Sequence, residues 1–303
     1  MKNSLARSHG KIILIGEHSV VYGKPAIAIP LKSVSLDVYI KENDKNHIQC
    51  KFFEGELSET SEDLLGIKTL IEKFLYEYNI EKKIKIVIES NIPNERGMGS
   101  SAASSVAVAR SLFNYFDIRH SEEDILEWAN ISEKIIHGNP SGIDINVIMN
   151  NKSVYFIRDK KIETFPINLN AYLVIGDTGI KGKTKEAVSD VKNLLDKDSK
   201  YMEYIENLSI LSDEARKYIE NRDLQRLGNI MNKAHENLQR LEVSSAELDE
   251  MVNIATANKA LGAKLTGGGR GGCMIALCST LEIANNIKER FEQLEKEVWI
   301  SKI

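Results

Sequence analysis

Pro93-Asn94-Glu95-Arg96-Gly97-Met98-Gly99-Ser100-Ser101-Ala102-Ala103 is the stretch on which the fold of this chain turns. Glycines at 97 and 99 let a backbone approach an anion with no Cβ in the way. The alanine-rich run Ala102–Phe116 reads as a buried helix, whose start offers unpaired N–H groups and the positive end of a dipole. Ser100 and Ser101 add hydroxyl donors, or a ligand for a phosphate-bound cation. Two familiar phosphate loops fit less well. A Walker A loop needs a lysine at the helix start, and none follows Gly99. A dinucleotide fingerprint is matched by Gly97, Gly99 and Ala102, but Pro93–Arg96 separates these glycines from the preceding strand, whereas that fold begins its loop at the strand end. By itself the stretch is either a tight turn ahead of a core helix or an anion site.

Upstream, Lys83–Glu89 alternates Ile84, Ile86 and Ile88 as a strand does and stops at Pro93. Asp63–Tyr78 has helical spacing. Lys11–Ile15, Ala26–Pro30 and Val34–Ile40 read as three further strands, the first closed by Gly16. Lys11 heads its strand and either points into a cleft or snorkels outward. Downstream, Ser121–His137 is a helix with a capping box at Ser121 and Asp124 and a stop at Gly138. On its apolar arc of Ile125, Trp128, Ala129, Ile135 and Ile136, Glu133 falls on the inward flank, where a carboxylate either needs a partner or a metal or reaches solvent from the helix edge. The helix is followed by His137-Gly138-Asn139-Pro140-Ser141-Gly142-Ile143-Asp144. Asp144 lies between two isoleucines, a setting that can tune a carboxylate for base work.

Further on, Val154–Ile157 and Lys161–Phe165 form a hairpin pattern, and Ala171–Ile175 is a strand. Lys183–Ala257 is mostly helical and charged. Lys264–Leu265 and Cys273–Leu277 are strands flanking a glycine cluster. Leu281–Glu295 is a helix and Val298–Ile303 a last strand. Gly267, Gly268, Gly269, Gly271 and Gly272 are five of the chain's 19 glycines. Such density implies close approach of backbone to backbone or to a ligand, with Thr266 and Arg270 as added anion contacts. The chain divides near Pro166–Ala171, giving an N-terminal domain over 1–168 and a C-terminal domain over 169–303.

With 303 residues, 42% of them hydrophobic and 28% charged, the chain can bury a large core. A net charge of −4 with mixed signs speaks against a nucleic-acid partner. Cys50, Cys273 and Cys278 make no zinc spacing, which fits a reducing compartment and a cytoplasmic location. The apolar run Ile12–Ile15 is too short for a signal peptide, and no membrane span is expected.

These pieces occur in the order Lys11…Gly16-Glu17-His18, Pro93…Gly97–Ala103, Gly142-Ile143-Asp144 and Leu265-Thr266-Gly267-Gly268-Gly269. Together they resemble the GHMP small-molecule kinases. Lys11–Ala26 and His137–Asp144 are most similar to the mevalonate-phosphorylating branch. Ser19-Val20-Val21 lacks the sugar-holding aspartate of galactokinases, and the nearest alternative is a phosphomevalonate kinase. The resemblance implies an α+β, two-domain GHMP kinase fold, with an N-terminal domain like ribosomal protein S5 domain 2 and a ferredoxin-like C-terminal domain. It implies ATP as co-substrate with its phosphates on Gly97, Met98, Gly99, Ser100, Ser101, Ala102 and Ala103, and Mg²⁺ on Ser101 and Glu133. It further implies Asp144 as base with Lys11 beside it, and acid-substrate contacts from Glu17, His18, Thr184 and Gly268. Mevalonate and ATP are the expected small-molecule partners, and a homodimer is compatible with the family. The Asn94-Glu95-Arg96 entry departs from the small neutral residues of many relatives.

Overall fold

Two unusually long strands organise the chain. A computed structural model describes residues 4–94, 96–138, 142–158, 160 and 162–303, with the backbone alone at His137. Strand β1 runs Ser4–Ile15 and β2 runs Ala26–Glu42. Both exceed the sequence expectation. The first half of β1 alternates buried Ser4, Ala6 and Ser8 with exposed Leu5 and Arg7, a pattern hidden by small polar residues on the buried side. The two strands expected at Ala26–Pro30 and Val34–Ile40 are one. Pro30 falls between two separate ladders, Ala26–Ala28 with β6 (Ser153–Phe156) and Leu36–Glu42 with β5 (Ile84–Ser90), and belongs to neither. A proline there removes no hydrogen bond from either ladder.

The described residues within Met1–Lys11, Pro30–Pro93 and Gly99–Asn151 form one compact unit. In it β5 pairs antiparallel with β2 and parallel with β3 (His47–Cys50), which forms a hairpin with β4 (Phe53–Glu56). Helices α1 (Leu65–Glu77), α2 (Ser100–Phe116), α3 (Glu122–His137) and α4 (Ile143–Asn150) complete it. Phe74 of α1, Phe113 of α2 and Trp128 of α3 lock the helices together. The Phe74 ring stands edge-on to both others, with centroids 4.9 and 5.0 Å away. Edge-to-face pairs add to the burial of large apolar rings. The capping box at Ser121 and the stop at Gly138 are formed as the sequence requires.

The second unit comprises Ile12–Ile29, Asn94–Met98 and the described residues of Lys152–Ile303. Strand β6 pairs with β7 (Glu163–Phe165) as the expected hairpin, whose Lys161 lies outside the described residues. An antiparallel sheet of order β11-β8-β10-β9 is built from Val298–Lys302, Tyr172–Asp177, Cys273–Cys278 and Gly262–Leu265. Helices α5 (Thr184–Lys197), α6 (Tyr201–Glu220), α7 (Leu224–Arg240), α8 (Ala246–Ala257) and α9 (Leu281–Gln293) accompany it. Gly176 of β8 gives room to the side chains of Met251 on α8 and Phe291 on α9, which a Cβ there would strike. Among the described residues, no helix is long and apolar enough to cross a membrane.

Candidate active site

In the first unit, Lys11 and Asp144 form an ion pair, Nζ to Oδ1 2.8 Å. The lysine side chain is 5% exposed and the aspartate 34%, so the pair is closed on the lysine side and open on the carboxylate side. Lys11 therefore does not snorkel outward. Asp144 sits in the first turn of α4, a helix the sequence reading did not foresee, entered through Gly142 at φ 77°. A carboxylate at a helix start is stabilised in its charged form by the dipole. Asn139, Pro140 and Ser141, which lead into it, lie outside the described residues.

Gly99 brings the glycine loop to the same place. It caps α2 at φ 74° without a side-chain hydrogen bond, and a Cβ on it would lie 2.8 Å from Cγ of Lys11. The lysine stem thus crosses directly behind the helix start. Ser101, in the first turn of α2, donates its hydroxyl to Glu133 of α3, which is 3% exposed. Glu133 is therefore on the inner face, as its position on the helical arc requires. Ile135, assigned to that arc, is instead 39% exposed, because the arc that α3 buries is narrower than its apolar residues suggest. A hydroxyl and a carboxylate, both oxygen donors, suit Mg²⁺, which keeps several waters and takes one or two carboxylates. Among the described residues there is no cluster of three or more His, Cys, Asp or Glu of the kind that would hold a metal alone.

In the second unit, the turn after β1 places Gly16, Glu17 and His18. Gly16 has φ 99°, and a Cβ on it would lie 2.5 Å from Cα of Ala26, so only glycine fits. Glu17 forms a fully buried ion pair with Lys264 of β9, both side chains 0% exposed. Lys264 Nζ also donates to the Leu265 carbonyl at 2.6 Å. His18 is held at φ 60°, a sparsely populated conformation for a residue with a Cβ. Its Nε2 lies 3.0 Å from the Gly268 carbonyl. A carbonyl only accepts, so Nε2 carries the proton and Nδ1 is a bare acceptor. Nδ1 is buried with no hydrogen-bond partner among the described residues. Gly268 in turn touches Thr184 at the start of α5, and a Cβ there would lie 2.7 Å from the threonine Cα. Glu17, His18, Thr184 and Gly268 are thereby brought together.

Sequence reasoning missed Lys264, the residue that neutralises Glu17. Its signal was a lone lysine inside the apolar run Gly262–Leu265. Thr266, named as an anion contact, instead donates to the Ile13 carbonyl at 2.8 Å. Arg270 is engaged by Asp190 and by the Glu242 carbonyl.

Burial lowers the His18 pKa from 6.5 to about 4, against the pull of its bond to Gly268. Burial likewise lowers that of His235, whose Nδ1 accepts from the Leu265 amide, to about 4. Between those values and 6.5 the unfolded chain binds protons that the folded chain does not. The stabilisation is therefore complete above 6.5 and lost as pH falls towards 4. The thermal unfolding midpoint should decline across that window, and His235→Gln should flatten the decline. A midpoint indifferent to pH there would contradict this account.

The chain is similar to known proteins along its whole length. Residues 66–150 match the model of the GHMP kinases N terminal domain and residues 215–296 that of the GHMP kinases C terminal. A mevalonate kinase from Pyrococcus abyssi is 34% identical over 94% of this chain and 92% of its own. The crystal structure of mevalonate kinase from methicillin-resistant Staphylococcus aureus aligns with TM-score 0.81 at 31% identity, covering 100% of this chain and 99% of that one. That of L. major mevalonate kinase in complex with R-mevalonate aligns with TM-score 0.84 at 25% identity, covering 100% and 96%.

Proposed function

The chain belongs to the GHMP kinases, and from that footing we propose that it transfers the terminal phosphate of ATP to the primary hydroxyl of mevalonate, yielding 5-phosphomevalonate for isoprenoid precursor synthesis in the cytoplasm. The observation that carries the reading is the Lys11–Asp144 pair lying against Gly99. Asp144 accepts the proton of the attacking hydroxyl. Lys11 orients that carboxylate through their ion pair and stabilises the developing alkoxide. The loop Gly97–Ala103 holds the phosphates on backbone N–H groups at the start of α2. Phosphoryl transfer has a loose transition state, so positioning and charge stabilisation supply most of the acceleration.

Ser101 and Glu133 would hold Mg²⁺. That ion, when bound, supplies charge neutralisation on the phosphate oxygens. Glu17, His18, Thr184 and Gly268 contact the acid substrate. The bare Nδ1 of His18 is an acceptor suited to a substrate hydroxyl, and burial keeps the ring neutral at physiological pH. The Glu17 carboxylate already has a cation in Lys264, so it orients without repelling an acid. The alternative, a phosphomevalonate kinase, calls for extra cations at the substrate; of the two that the sequence offers, Arg270 and Lys185, the first is already committed to Asp190.

Release of ADP with mevalonate, phosphomevalonate, homoserine and galactose offered separately tests the reading. Turnover with mevalonate alone is expected, and a preference for any other acceptor overturns it. Glu133→Gln should raise the Mg²⁺ concentration needed for half-maximal rate by about tenfold, the change typical of losing a charged ligand or its support. An unchanged Mg²⁺ dependence removes Glu133 from the metal site.

A further inference from the structure

Arg96 stands one residue before the glycine loop. Its Nε donates to Asp177 Oδ2 at 2.8 Å and its Nη2 to the Gly179 carbonyl at 3.0 Å. The arginine side chain is 15% exposed and the aspartate 7%. Asp177 is the last residue of β8, and its other oxygen accepts from the Gly179 amide at 2.9 Å. One carboxylate thus closes the turn after β8 and grips the guanidinium. The turn itself is pinned to the glycine hairpin. Thr178 N donates to the Gly272 carbonyl at 3.0 Å, and Gly272 N donates to the Ile180 carbonyl at 2.7 Å. The backbone at Arg96 and Gly97 rests on the same hairpin. A Cβ on Gly272 would lie 3.3 Å from the Arg96 carbonyl oxygen, and one on Gly97 would lie 3.6 Å from Cα of Gly267.

We propose that Arg96 is a positioning residue of the phosphate loop: its bonds to Asp177 and Gly179 fix the loop entry on the β8–β10 platform and so set the affinity for ATP. The physical need is clear. Gly97 and Gly99 both have positive φ, at 78° and 74°, and glycine torsions are soft. A loop free at its entry must be ordered by the ligand, at the expense of binding energy. An entry fixed beforehand by a charge-assisted pair spares that ordering. The guanidinium charge is matched by Asp177, and Nη1, which has no hydrogen-bond partner among the described residues, is buried, so Arg96 acts by holding the loop. Removing Arg96 also leaves the Asp177 carboxylate unmatched at the loop entry, where it repels phosphate. The charged Asn94-Glu95-Arg96 entry thereby acquires a role through its third residue. Glu95 lies outside the described residues.

The proposal rests on Gly97–Ala103 being the phosphate loop, so ATP-dependent ADP release by the unaltered protein is measured first. Absence of that activity overturns the kinase reading and the proposal with it. Given activity, steady-state kinetics follow on Arg96→Ala, Arg96→Lys and the charge-matched pair Arg96→Ala with Asp177→Asn. Arg96→Ala should raise KM for ATP by about tenfold and leave KM for mevalonate within about twofold. The lysine variant keeps the pair with Asp177 but not the second bond, and should fall in between. The double variant should recover part of the loss, because no unmatched carboxylate remains. A merely structural role would move the unfolding midpoint and leave the two KM values in their original ratio. A KM for ATP within about twofold of the unaltered protein in every variant that folds overturns the proposal. Arg96→Lys is the variant that keeps this test available if Arg96→Ala does not fold.

Discussion

Asp144→Asn should lower turnover by about a hundredfold to ten-thousandfold, the range that a positioned general base contributes. Asparagine keeps the size of the side chain and an oxygen that can still accept from Lys11 Nζ, now 2.8 Å from the carboxylate. It cannot take a proton from a hydroxyl. The loss should therefore fall on kcat, with KM for ATP little changed, because the loop and the Ser101–Glu133 bond are untouched. The unfolding midpoint should fall as well, since the Lys11 ammonium, 5% exposed, loses its counter-charge, but by less than for a fully buried pair, because the aspartate side is 34% exposed. Single-turnover kinetics with ATP and mevalonate give the chemical step directly. A variant turning over within about tenfold of the unaltered protein would show that Asp144 is not the base.

Lys264→Met should be the most damaging single change to stability. It removes the cation from a pair in which neither side chain has any exposure, so the Glu17 carboxylate loses the charge that offsets its burial. Breaking such a pair from one side costs about 3–5 kcal/mol, most of it the desolvation of the charge left behind. Adding Glu17→Gln should return most of that loss, because an amide and a methionine carry no charge to desolvate. Thermal unfolding of the two single variants and the double variant measures this. If the double variant is as unstable as Lys264→Met, packing and not charge explains the pair. The double variant should remain a poor enzyme, since the proposed function has Glu17 contact the substrate acid. Recovery of stability without recovery of KM for mevalonate would separate the two roles of this turn.

The elements that could be read from the sequence are those whose signal is local. The capping box of α3 lies within four residues, and its helical arc correctly turned Glu133 inward. The glycine cluster between β9 and β10 announced close backbone approach, and the contacts of Gly267 with Gly97 and of Gly268 with Thr184 are that approach. The elements that could not be read depend on distant partners. The start of β1 is made of Ser4, Ala6 and Ser8 on its buried side, residues with no strand preference. The Ser4 hydroxyl bonds to Ser111, which is 107 positions away. The β3–β4 hairpin is short and polar, and β3 follows the register of β5. Helix α4 has eight residues and follows a segment rich in turn formers. Lys264 looked like an ordinary strand residue because its partner Glu17 is 247 positions earlier. Asp144 and Glu133 stood out as candidates because each is a carboxylate set among apolar residues, and Lys11 because it heads an apolar strand.

The lysine stem behind Gly99 has a consequence for anyone dissecting this enzyme by mutation. A methyl group at that position would lie 2.8 Å from Cγ and 3.0 Å from Cε of Lys11. The chain can relieve that clash only by shifting the loop or by swinging the lysine away from Asp144. Under the proposed roles, alteration of Gly99 disturbs nucleotide grip and hydroxyl activation together, and a kinetic defect there carries no information on which was lost. The two functions can be separated from the ligand side instead, with ATP analogues altered at the phosphates and with acceptors whose hydroxyls differ in acidity.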